Sequence, residues 1–511
     1  MLTKPAAAAL AAAFAVGCAA GIPQSRARNE LVVALENAPL QLDPRVGTDQ
    51  ASSRVWELAL DGLVSKGPHG EILPSLASSW EILEDGRRYR FHLRPDVLFH
   101  DGSTFDAEDV VWTFGTILDG TVTTAKKGSF AQLARLEVPA PDVVDFVMSE
   151  PFGAMLVNLT SYVGILPSAT TTEQANAALA GTGPFRVVER QPDRVALEAF
   201  AGHWRGRPAL DRIVLRQVPD PTVRALELRK GSAQLVVNGL APDVIPTFRA
   251  DPTFRVVENP GSNYTYLGIN LRDPALARPE VRRAIALAID RELLMRALWR
   301  GLGVVTETAM PPGHWARHEG LAPIPHDPAA ARALLDQAGF PDPDGDGPAP
   351  RFSLTFKTST DETRVLQAQV LQAMLAEVGI ALEIRSYEFA TFYADITRGN
   401  FQLFSLTWTG ITDPDFYALC LHSAKVPPAG ANRGHYLNRE FDRLIEAGAR
   451  AVAPAERLPF YLAAQEILAR DLPYVSLFTG VNVAVMPRQL EGYENYSSGE
   501  LYSLRRITWA R

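Results

Sequence analysis

Ser79-Trp80-Glu81, Asp85-Gly86, Phe91-His92-Leu93-Arg94, Phe99-His100-Asp101-Gly102 and Ala107-Glu108-Asp109-Val110 follow one another in a single stretch of the chain. Arg87 to Leu93 alternates apolar and polar residues, the period of a half-buried strand. Ala107 to Leu118 has helical spacing. Asp106 is its N-cap, and Glu108 and Asp109 occupy its first turn, where negative charge is favoured. Between them His100-Asp101-Gly102 reads as a turn leading into the helix, a structural rather than a catalytic histidine.

Outward from this stretch the pattern is α/β. Leu31 to Leu35 is a short apolar strand, Asn37 to Pro44 a polar loop, and Ala51 to Val64 has helical spacing. Thr182-Gly183-Pro184 breaks the chain ahead of a strand from Phe185 to Val188. Tyr264 to Leu271 is strand-like, and Pro279-Glu280 opens a helix. Asp327-Pro328 starts another, which Gly339 ends. Phe352 to Phe356, the helix from Thr363 to Val378, Gly379 as its C-cap and Ile380 to Ile384 form a βαβ unit. Phe401 to Trp408 is a further strand running into Gly410. This alternation predicts an α/β lobe with a mostly parallel sheet.

The chain has 511 residues, beyond the roughly 250–300 at which single cores stop growing, so several domains are expected. A net charge of -8 argues against nucleic acid and against a polybasic membrane surface. Met1 to Lys4 is positively charged and is followed by an apolar run to Val16 and by small residues, the form of a secretory signal over 1–20. Ala15-Val16-Gly17-Cys18 resembles a bacterial lipobox, with Ala15 in place of the usual Leu. Lipidation of Cys18 and cleavage after Ala20 are the two readings, and the first is preferred. Cys420 is then the one remaining cysteine, so no internal disulfide forms.

The ordered blocks resemble the signature region of the peptide- and nickel-binding family of ABC transporter solute-binding proteins. Gly181-Thr182-Gly183-Pro184-Phe185 is similar to the family's next block. So are Val281-Arg282-Arg283-Ala284 with Ala288-Ile289-Asp290, Ala333-Leu334-Leu335 with Ala338-Gly339, and Asn432, Tyr436, Asp442, Arg457 and Gln465. The resemblance implies a two-lobed, type II periplasmic-binding-protein-like fold, with an extra subdomain on the first lobe and a cleft between the lobes. It places lobe I at 28–65, 180–260 and 476–511, the extra subdomain at 66–179 and lobe II at 261–475. Its interlobe crossings fall near Ser262–Tyr266 and Tyr474–Phe478. It further implies a monomer outside the cytoplasm, without a cofactor, held to the membrane at most by a lipid anchor. Such a protein closes on a peptide or other small solute and passes it to ABC permease subunits. A secreted hydrolase or a chaperone-like lipoprotein is the alternative, although no Gly-x-Ser-x-Gly, His-Glu-x-x-His or P-loop motif is present.

Trp408, Thr409 and Gly410 are the first ligand-binding candidates. They end a strand, and open α/β sheets bind ligands beyond strand carboxyl ends. A tryptophan there either stacks on the ligand or is buried in the core. Peptide-binding members of the family carry an Asp three residues after this Trp, which pairs with the peptide's ammonium. Here Ile411 stands in its place. Asp413 substitutes for it if the loop permits, or forms a plain turn. Arg433, beside Asn432, either clamps a carboxylate or is a solvated surface residue. Tyr264, on the first crossing, completes the set. His314 with His318, and Asp342, Asp344 and Asp346, make poor metal sites: the histidines flank a Pro-Gly turn, and the twelfth position of a calcium loop is Ser353.

Overall fold

In the computed structural model, which describes residues 29–68, 70–160, 163–345 and 347–510, the signature region forms an antiparallel sheet with a helix against it. Strands Ala77–Leu83, Arg88–Leu93, Val143–Met148 and Leu133–Ala140 lie side by side in that order. Tyr89, Phe91, Val144 and Phe146 are wholly buried, and Val110, Phe114 and Ile117 of helix Ala107–Leu118 pack with them in one core. Phe146 meets Phe91 and Phe114 edge-on, at 5.2 and 5.0 Å. Asp106 and Asp109 form a capping box, each side chain accepting from a backbone N–H near the other.

His100 is a clasp. Its Nε2 lies 2.9 Å from the Gly183 carbonyl, its Nδ1 accepts from the Gly181 N–H at 3.2 Å, and its own N–H donates to the Gly181 carbonyl at 2.8 Å. Burial lowers its pKa and keeps the ring neutral. Gly181 and Gly183 in turn lie against the end of helix Gln50–Ala59. A Cβ at either would fall 2.1 or 2.4 Å from the Ala59 backbone. Two of the sequence blocks are therefore one structural joint between the extra subdomain and lobe I.

Lobe I holds a sheet ordered Glu30–Leu35, Arg212–Gln217, Arg194–Ala199, Phe185–Gln191, of which the first pair alone is parallel. Its core combines Leu31, Val33, Ile213 and Leu215 with Leu490, Leu501, Leu504 and Ile507 from the far end of the chain. The larger sheet runs Val236–Val237, Tyr474–Pro487, Phe254–Ile269, Leu403–Trp408, Phe352–Ser359, Ile380–Tyr387, with Gly303–Val305 also on Tyr474–Pro487. It is mixed, not mostly parallel. Phe352–Ser359 pairs in parallel with both neighbours, as the βαβ unit requires, but the two long strands are antiparallel to each other and to their neighbours. A chain that leaves one lobe and later returns must make its two passes in opposite directions.

Candidate ligand-binding cleft

The site is built on an irregularity in those long strands. Pro260 pairs with Val481 and Tyr264 with Thr479, so residues 261–263 step out of register. The freed polar groups reach outward. The Ser262 N–H donates to the Ser497 carbonyl at 2.9 Å, and the Ser262 carbonyl accepts from the Ile411 N–H at 3.0 Å. Asn263 Oδ1 accepts from the Gly410 N–H, also at 3.0 Å. Gly410 thus hangs from the step. Its φ of +67° is one that side chains resist, and open space lies where its Cβ would be.

Three cavities meet around this point. One of about 810 Å³ separates the extra subdomain (Gln132, Phe152, Asn158) from Trp408–Phe416. A second, of about 620 Å³, faces lobe I at Asn37, Asp49, Arg54 and Asn238, and reaches Asn263. Between them one of about 210 Å³ is lined by Asn238, Asn263, Arg364, Thr407 and Asn482. The first two fall within the usual ~300–1,000 Å³ of small-molecule sites. A space of about 40 Å³ inside lobe II has room for water, not for a solute.

Trp408, Thr409 and Gly410 line the 810 Å³ cavity. Trp408 is largely engaged by its own lobe: its ring carries the Arg433 guanidinium at 5.0 Å and meets Phe416 at 5.2 Å in a T-shaped contact, and its Nε1–H is buried without an acceptor among the described residues. The other expected residues all hold partners within the protein. Tyr264 is buried, with its hydroxyl 2.7 Å from Ser476 Oγ and its ring stacked on Tyr266, and burial drives its phenol pKa up. It belongs to the interior of lobe II because its strand position points it away from the cleft. Asn432 closes its own loop, donating to the His422 and Tyr436 carbonyls and accepting from the Tyr436 N–H. Arg433 is no surface residue: 5% exposed, it lies between Trp408 and Tyr393 and donates to the Tyr393 hydroxyl at 2.8 Å. Two aromatic faces supply the shelter that a buried guanidinium needs.

Asp413 is also committed. Its two oxygens accept from Arg457 Nη1 and Nη2 at 2.8 and 2.7 Å, and both side chains are buried. It also lines the 810 Å³ cavity, but with its charge already matched by Arg457. Ile411 is 4% exposed and packs into the aromatic cluster of lobe II. His314 Nε2 meets the Thr412 carbonyl and His318 Nε2 meets Glu466, so the two histidines serve separate partners. Cys18 lies outside the described residues.

Two residues that the sequence did not single out do face cavities. Arg364 lines the 210 Å³ cavity and donates to Gln367 Oε1 at 3.2 Å and to Thr407 Oγ1 at 3.1 Å. Among the described residues no carboxylate comes within ion-pair distance, and burial lowers its pKa. Asp415 lines the 810 Å³ cavity. Desolvation, then the neighbouring Asp413 charge, push its pKa up to about 6, against the opposing pull of Arg457 and Lys425. The folded state thus binds this proton more tightly than the unfolded chain, whose group titrates near 3.8. The resulting destabilisation is complete above about pH 6 and fades as pH falls toward 4. Asp415→Asn should therefore raise the unfolding temperature of the ligand-free protein at pH 8 and leave it nearly unchanged at pH 4. A lower temperature at pH 8 would show the carboxylate to be structural.

The comparisons with known proteins fit this geometry. Residues 71–427 match the family model of the bacterial extracellular solute-binding proteins, family 5. The chain belongs to that family. It is a two-lobed solute-binding protein, the substrate-binding component of an ABC importer. It is 26% identical to the dipeptide-binding protein of Escherichia coli over 91% of each chain. It is 27% identical to haem-binding protein A of Haemophilus influenzae, over 92% of this chain and 90% of the relative. The periplasmic binding protein DppA of Helicobacter pylori, solved with the peptide STSA, superposes with a TM-score of 0.79 at 27% identity, over 94% of this chain and 98% of that one. Family members are binding proteins rather than enzymes, and no helix among the described residues is long and apolar enough to cross a membrane.

Proposed function

We propose that this family member binds a peptide or peptide-like solute bearing a carboxylate in the interlobe cleft and delivers it to the permease. The observation that carries this reading is Arg364, a guanidinium on the cavity wall whose hydrogen-bond acceptors among the described residues are neutral oxygens, with Asp361 acting on it only from beyond ion-pair distance. A half-buried cation kept unpaired is a cost to the empty protein that a ligand carboxylate relieves, and the planar donor fork suits a carboxylate. The relatives that bind peptides by name support the same class. Trp408, Thr409 and Gly410 line the space into which such a ligand extends, and Asn263 holds that segment to the crossing strands.

The two long strands, joined at the step of 261–263, act as the hinge, with the lobes divided at the crossings as the sequence resemblance implies. Small-angle scattering with and without a mixed-sequence tripeptide pool tests this. The radius of gyration should fall on addition of the pool, at the forward scattering of one chain. An unchanged profile at saturating peptide would favour a non-transport lipoprotein. The protein is held outside the cytoplasm by a lipid on Cys18. Cys18→Ala should move it from the membrane fraction to the soluble one, and a wild type already wholly soluble would contradict this.

A further inference from the structure

The extra subdomain and lobe II touch directly at the rim of the 810 Å³ cavity. Glu150, Pro151 and Phe152 line it from the subdomain, and Ala449 and Arg450 from the end of helix Arg439–Arg450. Between the two segments the Gly153 N–H donates to the Ala449 carbonyl at 2.9 Å. That carbonyl is one of the last four of its helix, which have no partner within the helix itself. A Cβ on Gly153 would fall 2.1 Å from the Ala451 carbonyl oxygen and 3.2 Å from Arg457 Cδ, and its three nearest atoms would all belong to lobe II. The φ of Gly153 lies outside the left-handed region, so its own backbone would accept a side chain. The demand for glycine comes from across the cleft. Beside it Gly86 is buried, and a Cβ there would meet Val452 Cγ2 at 2.3 Å.

Both halves of the contact are anchored. The wholly buried Tyr89 donates its hydroxyl to the Phe152 carbonyl at 2.8 Å, which ties the Gly153 segment to the subdomain core. On the other side Arg457 lies under Gly153 and holds the Gly448 carbonyl and the Asp413 carboxylate, so the contact and the cavity loop share one side chain. The subdomain is clasped to lobe I at His100, and the chain passes between the lobes in the two long strands. We propose that Gly153 is the seat on which this receptor closes: lobe II docks on it through residues 449–452 when the cleft shuts and leaves it when the cleft opens. Part of the free energy of closure then resides in a contact that touches no ligand. Because apparent affinity scales with the closed fraction, Gly153 sets how tightly a solute is held without choosing among solutes. The inference rests on the two-lobed hinge and is independent of the identity of the ligand.

The test needs no ligand. In the full chain carrying Cys18→Ala, Glu150→Cys and Arg450→Cys replace an exposed ion pair whose charged ends are 4.0 Å apart, a pair of little weight for stability. Cys420 is wholly buried, so a short bismaleimide meets the introduced thiols. The cross-link should form in ligand-free protein, since it traps brief closures, and the linked chain should have a smaller radius of gyration than the unlinked one. Gly153→Ala should slow linking by roughly tenfold or more, the scale of one overpacked contact. Val452→Phe, which crowds Gly86 from lobe II, should act alike, and it decides the matter alone if Gly153→Ala does not keep the unfolding temperature of its parent. Absence of the cross-link, an equal radius of gyration before and after linking, or folded variants that link at the parent rate would each overturn the proposal.

Discussion

Replacing Arg364 with alanine should cost the cleft its affinity for carboxylate-terminated peptides, by about 2–5 kcal/mol, the usual loss on truncating one partner of a desolvated charge pair. That is roughly 30- to 4,000-fold in dissociation constant. The size follows from the surroundings. Gln367 and Thr407 orient the guanidinium but do not neutralise it, and Asp361 acts on it only from beyond ion-pair distance, so a bound carboxylate would be its one direct ionic partner. A peptide and its C-terminal amide, each titrated into wild type and Arg364→Ala, complete a double-mutant cycle. The amide should bind wild type weakly and lose little more in the variant. If peptide and amide lose the same amount, Arg364 supports the wall and does not read the ligand.

The second large effect concerns stability. Arg457→Met should destabilise the protein by about 3–5 kcal/mol, because it leaves Asp413 buried without its partner. Arg457 also donates to the Gly448 carbonyl at 3.2 Å and lies over the rings of Trp315 and Tyr461, so it ties the 409–415 loop to helix Pro454–Asp471. The double variant Asp413→Leu/Arg457→Met should recover much of the loss, since no lone charge then remains buried. Urea unfolding of the three proteins measures this. A single variant no less stable than the double one would show that the pair contributes packing rather than charge compensation.

Much of the scaffold was legible in the sequence. Helix Ala107–Leu118, its Asp106 cap, helix Pro328–Gln337 and the strand–helix–strand unit from Phe352 to Tyr387 stand where local signals put them. Capping and periodicity are local, so the chain announces them. The site was less legible. Asp413 reads as a turn residue or a ligand group because its partner Arg457 comes from another helix. Arg433 reads as a surface cation because nothing local reveals that Tyr393 and Trp408 enclose it. Tyr264 reads as a strand residue and stands in strand Phe254–Ile269, but which face meets the cleft depends on the register step at 261–263. Arg364 did leave a trace. It sits in the first turn of helix Glu362–Ala376, where a cation opposes the helix dipole, and a residue kept against that preference invites a functional explanation.

A cleft that holds a peptide-like ligand by its carboxylate at Arg364 should keep that ligand through gentle purification. Native mass spectrometry of the protein purified without denaturation tests it most directly. Adducts with the masses of short peptides or peptide-like acids are expected on the wild type, lost from Arg364→Ala while the variant keeps its native charge-state distribution. Adducts retained by Arg364→Ala, or a wild type carrying a ligand without a carboxylate, would contradict it.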